Sequence, residues 1–188
     1  MNKEEILNPL RKSNMLIGEV YFWTNTIKDW KHLLKQEKYK ELIVDALSSL
    51  IEKKQISIYA FVVMPNHLHL VWEMYAKNGK EMPHASFNKN TGHEMIKDLQ
   101  KNHTNVLPFF EVNENERRYR VWQRDPLAVL MDSKAKVEQK IDYIHNNPLG
   151  SRWNLVKSPE QYKWSSAKFY ENGIDEFGIL THYCERFG

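Results

Sequence analysis

The chain has 188 residues, of which 41% are hydrophobic, 12% aromatic and 27% charged, with a formal net charge of +3. This composition is typical of a single globular domain over residues 1–188 and excludes a disordered protein. No apolar run is long enough to cross a bilayer, residues 1–5 lack the basic-then-apolar layout expected of a secretory signal, and the lone Cys184 cannot form an internal disulfide. We therefore expect a cytoplasmic protein without a membrane partner, whose modest positive charge permits binding to nucleic acid.

The first half of the chain predicts one strand, one helix and two further strands. β-branched and aromatic residues mark the strands, and apolar residues at helical spacing mark the helix. The predicted ranges are a loose leader over residues 1–15, a strand over Val20–Thr26, a helix over residues 38–53, and strands over Ile56–Val63 and His67–Met74. Pro65 predicts a turn between the last two strands, because proline cannot donate to a central ladder.

The second half predicts a surface insert, a helix, a short strand and a last helix. Polar residues with Gly and Pro predict the insert. The ranges are an insert over residues 75–92, a helix over 93–107, an acidic loop over 111–116, a strand over 117–123, and a C-terminal extension over 150–188. The last helix follows a capping residue, Asp132 or Ser133, and runs to Asn147, where Pro148 stops it. In the extension, Trp164 and its aromatic neighbours are expected to pack onto the domain.

This order predicts an α+β fold of ferredoxin-like kind, an antiparallel sheet with helices mainly on one face. Side chains alternate along a strand, so His67 and His69 lie on one face of a central strand, and Leu68 and Leu70 lie on the other. We expect the apolar face to pack against helices and to leave the imidazoles free to hold one cation.

The two histidines, by their spacing alone, indicate a metal site only weakly. A pair of imidazoles on the solvated face of a sheet is ordinary, and a metal site needs a further ligand. The single cysteine excludes a structural zinc site built from thiolates. Completed by oxygen ligands and a substrate phosphate, the pair would suit Mg²⁺ or Mn²⁺, and imidazole also accepts Zn²⁺.

The last predicted helix carries a tyrosine outside its apolar stripe. The stripe consists of Val137, Ile141 and Ile144. At ~100° per residue, Tyr143 instead shares a side with Lys136, Lys140 and Asn147. A core tyrosine would have apolar neighbours, whereas these lysines would stabilise a phenolate, and Asn147 could offer an oxygen to a nearby cation. The tyrosine and the histidine pair therefore have a joint use in attack on a phosphodiester.

Four arginines cluster next to aromatic residues ahead of the last helix. They are Arg117, Arg118, Arg120 and Arg124. Arginine contacts to phosphates with aromatic stacking would suit a DNA single strand or hairpin. A solvated strand entry explains the same charges equally well, since charge runs usually face water.

Ordered motifs across most of the chain resemble the single-tyrosine HUH transposases, in particular the REP-associated tyrosine transposases of insertion-sequence type. The motifs occupy residues 21–25, 64–70, 121–123, 143–148 and 158–166. Each motif alone is weak, but their joint order is specific.

The resemblance implies a metal-dependent DNA endonuclease and strand transferase that acts on single-stranded or hairpin DNA, as a monomer or homodimer. It assigns His67 and His69 as metal ligands. It also assigns Tyr143 as the nucleophile that forms a 5′-phosphotyrosine link and frees a 3′-hydroxyl. Asn147 would be a third ligand, at a position where relatives often have glutamine.

Two other functions stay open from the sequence. A DNA-binding regulator on the same fold would bind structured DNA without forming a covalent adduct. An RNA-processing nuclease would use the same site on a different substrate.

Overall fold

A computed structural model describes residues 15–114 and 117–188 of the chain. Its main sheet has four strands, which are β1 Val20–Thr26, β2 Ile56–Val63, β3 His67–Met74 and β6 Leu127–Leu130. They pair antiparallel in the order β2-β3-β1-β6. Two short strands, β4 Glu111–Glu114 and β5 Arg117–Tyr119, pair separately. The predicted leader lies outside the described residues except for Met15, which is buried.

Five α-helices connect or follow the strands in the described part of the chain. They are α1 Glu37–Glu52, α2 Pro83–Asn102, α3 Lys134–Asn146, α4 Ala167–Asn172 and α5 Cys184–Phe187. Short 3₁₀ helices cover Lys28–Trp30, Leu33–Lys35, Leu107–Phe110, Asn147–Leu149 and Pro159–Gln161. The order of the main elements, β1-α1-β2-β3-α2-β6-α3, confirms the predicted α+β fold. None of the helices in residues 15–114 and 117–188 has the length and apolar character of a membrane span.

The two faces of the main sheet are covered by different helices. α1 and α2 pack together on the face where Trp23 stacks on Trp72 at 5.0 Å, and Phe87 of α2 contacts Trp23 edge-on. The opposite face carries the histidines, and α3 covers it with its buried apolar stripe. The imidazoles therefore do not face open solvent, since only 7% of His67 and 4% of His69 is exposed.

The fourth strand of the main sheet was predicted in the wrong place. Of the predicted strand over residues 117–123, only β5 is a strand, and it pairs with β4, while Trp122 forms an isolated bridge with Ile27 just after β1. Residues 111–114 are strand and not loop. A backbone with φ of 56° at Asp125 redirects the chain into β6, which pairs with β1. β6 is an edge strand whose apolar side chains are partly exposed, so it lacks the alternation that marks a half-buried strand.

The helix α2 begins at Pro83, so the predicted insert over residues 75–92 extends too far and the predicted helix start at 93 is wrong. Proline suits the first turn of a helix, where its missing N–H has no partner to lose. Phe87 and Thr91 are buried, and Thr91 accepts a hydrogen bond of 2.9 Å from the indole of Trp122. The buried stripe of this segment contains polar residues, and the apolar spacing therefore failed to reveal the helix.

The C-terminal extension packs onto the domain as predicted. Trp164 is 3% exposed, and its carbonyl accepts a hydrogen bond of 2.8 Å from the backbone of Val63. The amide of Ser166 donates to Phe61, and that of Thr181 donates to Ile58. The extension thus occupies the outer edge of β2, so this edge of the sheet is not left unpaired.

Candidate active site

The central position of β3 fixes the two histidines. In the β1–β3 ladder, His69 lies opposite Thr24 and His67 opposite Thr26, while β2 pairs on the other side. The two imidazole centroids are 4.6 Å apart. Strand pairing on both sides holds the backbone, so the imidazoles are positioned by the sheet and not by a loop.

Each histidine is oriented through its Nδ1 atom. Nδ1 of His67 is 2.6 Å from the side-chain oxygen of Asn66, whose amide nitrogen donates to the carbonyl of Trp30. Nδ1 of His69 is 2.8 Å from the hydroxyl of Thr24, and its buried Nε2 has no hydrogen-bond partner among the described residues. A buried polar atom without a partner is costly, and an outer hydrogen bond on the opposite ring nitrogen is typical of metal-binding histidines. The pair therefore fits a metal.

Burial keeps both imidazoles neutral. It lowers the pKa of His67 to about 4, aided by the charge of Arg152 and opposed by a hydrogen bond with Asn147. Burial, with the neighbouring His67 and Lys140, holds the pKa of His69 well below its ordinary value. Neutral imidazole is the form that binds metal, so neither histidine has to lose a proton near neutral pH.

Helix α3 brings Tyr143 to the histidines. The N-terminus of α3 is capped by Ser133, which is one of the two residues predicted for this role. The ring of Tyr143 is 5.3 Å from that of His69 and 5.9 Å from that of Phe22, yet 49% of the residue is exposed. The Lys140 ammonium is 5.4 Å from the Tyr143 ring centroid. The phenol thus combines access from solvent with a nearby positive charge.

Asn147 completes the group of predicted site residues that the fold assembles. It lies in the 3₁₀ turn directly after α3, and its side chain is close enough to His67 to act on that pKa. In the described ranges, no three His, Cys, Asp or Glu side chains are grouped so as to hold a metal. A metal at the histidine pair would therefore take its third protein ligand from an amide such as that of Asn147.

Lys136 and the four arginines are not part of this group. Lys136 bonds Asp132 at 2.7 Å. Arg118 pairs with Glu111, while Arg120 and Arg124 pair with Glu114. The four arginines line a cleft of about 620 Å³ that lies against α2. Within the described residues, none of the contacts joins these side chains to Tyr143 or the histidines.

Several residues at the site were missed by sequence reasoning. They are Thr24, Trp30, Asn66, Arg152 and Trp153. Asn66 precedes His67 directly, and that adjacency could have identified it. Thr24 shares a face with His69 only once β1 is paired with β3. Trp153, whose ring is 6.0 Å from that of His67, gave no local signal.

The fold and the site define an α+β protein with two buried, neutral histidines on a central strand and a tyrosine helix across them. The structure is similar to that of a REP-associated tyrosine transposase bound to a REP hairpin, with a TM-score of 0.60 and 15% identity over 90% of each chain. A protein from Deinococcus radiodurans R1, provisionally assigned as a transposase, matches with a TM-score of 0.42 and 16% identity, over 73% of this chain and 97% of that one. No protein-family model and no curated protein matches the chain. The first likeness confirms the expected transposase-like fold.

Proposed function

We propose that the chain is a metal-dependent DNA endonuclease and strand transferase that acts on single-stranded or hairpin DNA through Tyr143. The observation that carries the proposal is the half-exposed phenol of Tyr143 beside His69, whose buried Nε2 lacks a partner in the described part of the chain. The transposase-like fold supports it, and the similar solved structure holds a REP hairpin.

In the proposed reaction, the phenol oxygen of Tyr143 attacks a phosphodiester. A bond forms between this oxygen and phosphorus, the bond from phosphorus to the 3′-oxygen breaks, the phenolic proton passes to solvent, and the 3′-oxygen takes up a proton. The product is a 5′-phosphotyrosine, which conserves the bond energy, so that a later 3′-hydroxyl reseals the strand without ATP. The exposure of Tyr143 allows a DNA strand to reach the phenol.

Lys140 has the position to assist Tyr143. A free phenol, with a pKa near ~10, is a weak nucleophile at neutral pH. The Lys140 ammonium, which also lies 4.8 Å from the Phe22 ring centroid, is held between that ring and the phenol. From there it would stabilise the negative charge that develops on the phosphate.

His67, His69 and Asn147 would hold the metal, which we expect to be Mg²⁺ or Mn²⁺. When bound, this ion would supply positive charge next to the scissile phosphate. Asn66 and Thr24 hold the two imidazoles in the orientation that leaves the outer nitrogens for binding. The low pKa of each imidazole keeps it neutral, which is the form that binds a metal.

A denaturing gel that resolves protein–DNA adducts tests the proposal. With Mg²⁺ or Mn²⁺ and a hairpin carrying a mixed-sequence single-stranded tail, the wild type should form an adduct. Tyr143→Phe should lose it while hairpin binding survives, and Tyr75→Phe, which alters a tyrosine of comparable 44% exposure, should keep it. Persistence of the adduct in Tyr143→Phe contradicts the nucleophile assignment.

The same gel separates the two other functions. Hairpin binding by the wild type with no adduct under any divalent metal would indicate a DNA-binding regulator. Cleavage of an RNA copy of the hairpin in preference to DNA would indicate an RNA-processing nuclease.

A further inference from the structure

A pocket of about 290 Å³ opens beside His67. Its walls come from the Pro65 turn, from the start of α1 and the residues before it, and from the loop that follows Asn147. Trp153, in that loop, connects the pocket to the site, with its ring 6.0 Å from that of His67. Tyr143 contacts the other imidazole, that of His69. The pocket and the tyrosine thus lie at the two ends of the histidine pair.

The pocket is lined by three cations without a lining carboxylate. They are Lys35, Lys40 and Arg152. Lys40 is only 7% exposed, and its ammonium lies 5.9 Å from the Tyr162 ring centroid and 5.5 Å from that of Trp164. Among the residues that the structure describes, it makes no ion pair. Burial lowers its pKa, and the charge of Glu37 opposes this effect. An ammonium that is largely buried, makes no ion pair and lines a cavity favours an anionic ligand.

The aromatic walls of the pocket are held in place by backbone contacts. The amide of Trp153 donates to the carbonyl of Gly150 at 2.8 Å, and the hydroxyl of Tyr162 donates to the carbonyl of Val63 at 2.9 Å. The guanidinium carbon of Arg152 lies 5.4 Å from the Trp153 ring centroid. An aromatic ring with adjacent cations is the arrangement that proteins use to stack a base and bind its phosphate.

We propose that this pocket binds one unpaired nucleotide of the DNA strand, with its base stacked on Trp153 and its phosphate near Lys35, Lys40 and Arg152. This inference rests on the proposed function. In phosphoryl transfer the attacking and leaving oxygens are roughly in line. With Tyr143 at the His69 end, the leaving 3′-oxygen points to the His67 end. The pocket therefore takes the nucleotide immediately 5′ of the cleaved bond.

Binding measurements in a Tyr143→Phe background test the pocket without cleavage. The probe is a fluorescein-labelled hairpin with a mixed-sequence single-stranded 5′ tail. Trp153→Ala should weaken binding about tenfold, the effect of losing one stacked base, and Trp153→Phe should retain most of the affinity. Lys40→Met, which keeps the side-chain volume, should weaken binding. It should also reduce the slope of the logarithm of the binding constant against the logarithm of the salt concentration by about one.

Lys163→Met is the matched control for Lys40→Met. The Lys163 ammonium also lies near the Trp164 ring, at 4.8 Å, but Lys163 does not line the pocket. It should bind the hairpin as the parent protein does, and thermal unfolding of each variant establishes that it is folded. If folded Trp153→Ala and Lys40→Met bind like Lys163→Met, the pocket proposal is overturned.

The position of the nucleotide is tested with the protein that retains Tyr143. In a hairpin that the wild type cleaves, an abasic site immediately 5′ of the cleaved bond should slow adduct formation about tenfold, with no further loss in Trp153→Ala. The same effect from an abasic site on the 3′ side would overturn the assignment. Absence of any wild-type adduct would contradict the proposed function alone, because the binding comparison requires no cleavage.

Discussion

The histidine site and the arginine cleft both consist of polar side chains, but the fold treats them in opposite ways. His67 and His69 are buried, and the buried Nε2 of His69 lacks a partner in the described ranges. Arg118 and Arg124 are largely exposed and paired with Glu111 and Glu114. Burial is therefore what makes the histidine site stronger evidence for a function than the arginine cleft. Exposed ion pairs cost little free energy and need no function, whereas a buried imidazole nitrogen without a partner is costly unless it binds a ligand.

The largest effect should come from the histidine site. His67→Ala combined with His69→Ala should abolish the covalent adduct and its dependence on divalent metal. Hairpin binding through the arginine cleft should remain, because the cleft shares no contact with the histidines in the described residues. The measurement is adduct formation with Mn²⁺ and with EDTA. His93→Ala, in the cleft, serves as control, and unchanged cleavage by the double variant in EDTA would contradict the metal mechanism.

Acid should destabilise the fold through the histidine face of the sheet. Burial lowers the pKa of both His67 and His145 to about 4 in the folded state, from an ordinary value of 6.5. Below 6.5 the unfolded chain therefore binds more protons. Each histidine should lower the free energy of unfolding by about 1.4 kcal/mol per pH unit between about 6.5 and 4, and should have no effect above this window.

Urea unfolding in EDTA at a series of pH values checks this prediction. His145 is bonded to the Ser166 hydroxyl, away from the proposed chemistry, so His145→Gln isolates its share of the acid sensitivity. In this variant, the slope of the free energy of unfolding against pH should decrease by the contribution of one histidine, about 1.4 kcal/mol per pH unit. A wild-type stability that stays constant from neutral pH to 5 would contradict the buried neutral imidazoles.

The two lysines of α3 should differ, although sequence reasoning placed both on the tyrosine side. Lys140 is 5.4 Å from the Tyr143 ring centroid, whereas Lys136 bonds Asp132. Lys140→Met should slow adduct formation about tenfold, less than the loss of a fully buried donor, because Lys140 is partly exposed. Lys136→Met should leave the rate unchanged. Equal rates for the two variants, measured in single-turnover reactions, would remove Lys140 from the mechanism.

The smallest effects should come from the arginine cleft. Arg118→Ala and Arg124→Ala should each weaken hairpin binding a few-fold, because their ion pairs with Glu111 and Glu114 offset part of their charge. Each should reduce the slope of binding against salt by about one and leave the adduct rate at saturating DNA unchanged. A binding constant that is independent of both substitutions would show that the cleft is only a solvated surface.

The sequence predicted the elements with strong periodicity and missed those whose burial is decided by tertiary contacts. The strand face that carries His67 and His69 and the buried face of α3 could both be predicted, because strand alternation and the helical repeat are local properties of the sequence. β6 was missed since it is an edge strand with exposed apolar residues. The start of α2 was missed because polar Ser86 and Thr91 belong to its buried stripe.

The candidate site was predicted in its residues but not in its environment. Tyr143, His69 and Lys140 come together as their helix and strand faces require. The burial of the imidazoles depends on α3 crossing the sheet, which no local pattern reveals. Trp153 follows a turn after α3, and its approach to His67 depends on the path of that turn.

Peptide mapping of the protein–DNA adduct by mass spectrometry tests whether Tyr143 is the nucleophile. After reaction with a cleaved hairpin and digestion of both DNA and protein, we expect a nucleotide attached through its 5′-phosphate to the peptide that contains Tyr143. A nucleotide on any other residue, or cleavage of the hairpin with no modified peptide, would contradict the assignment of Tyr143 as the nucleophile facing His69.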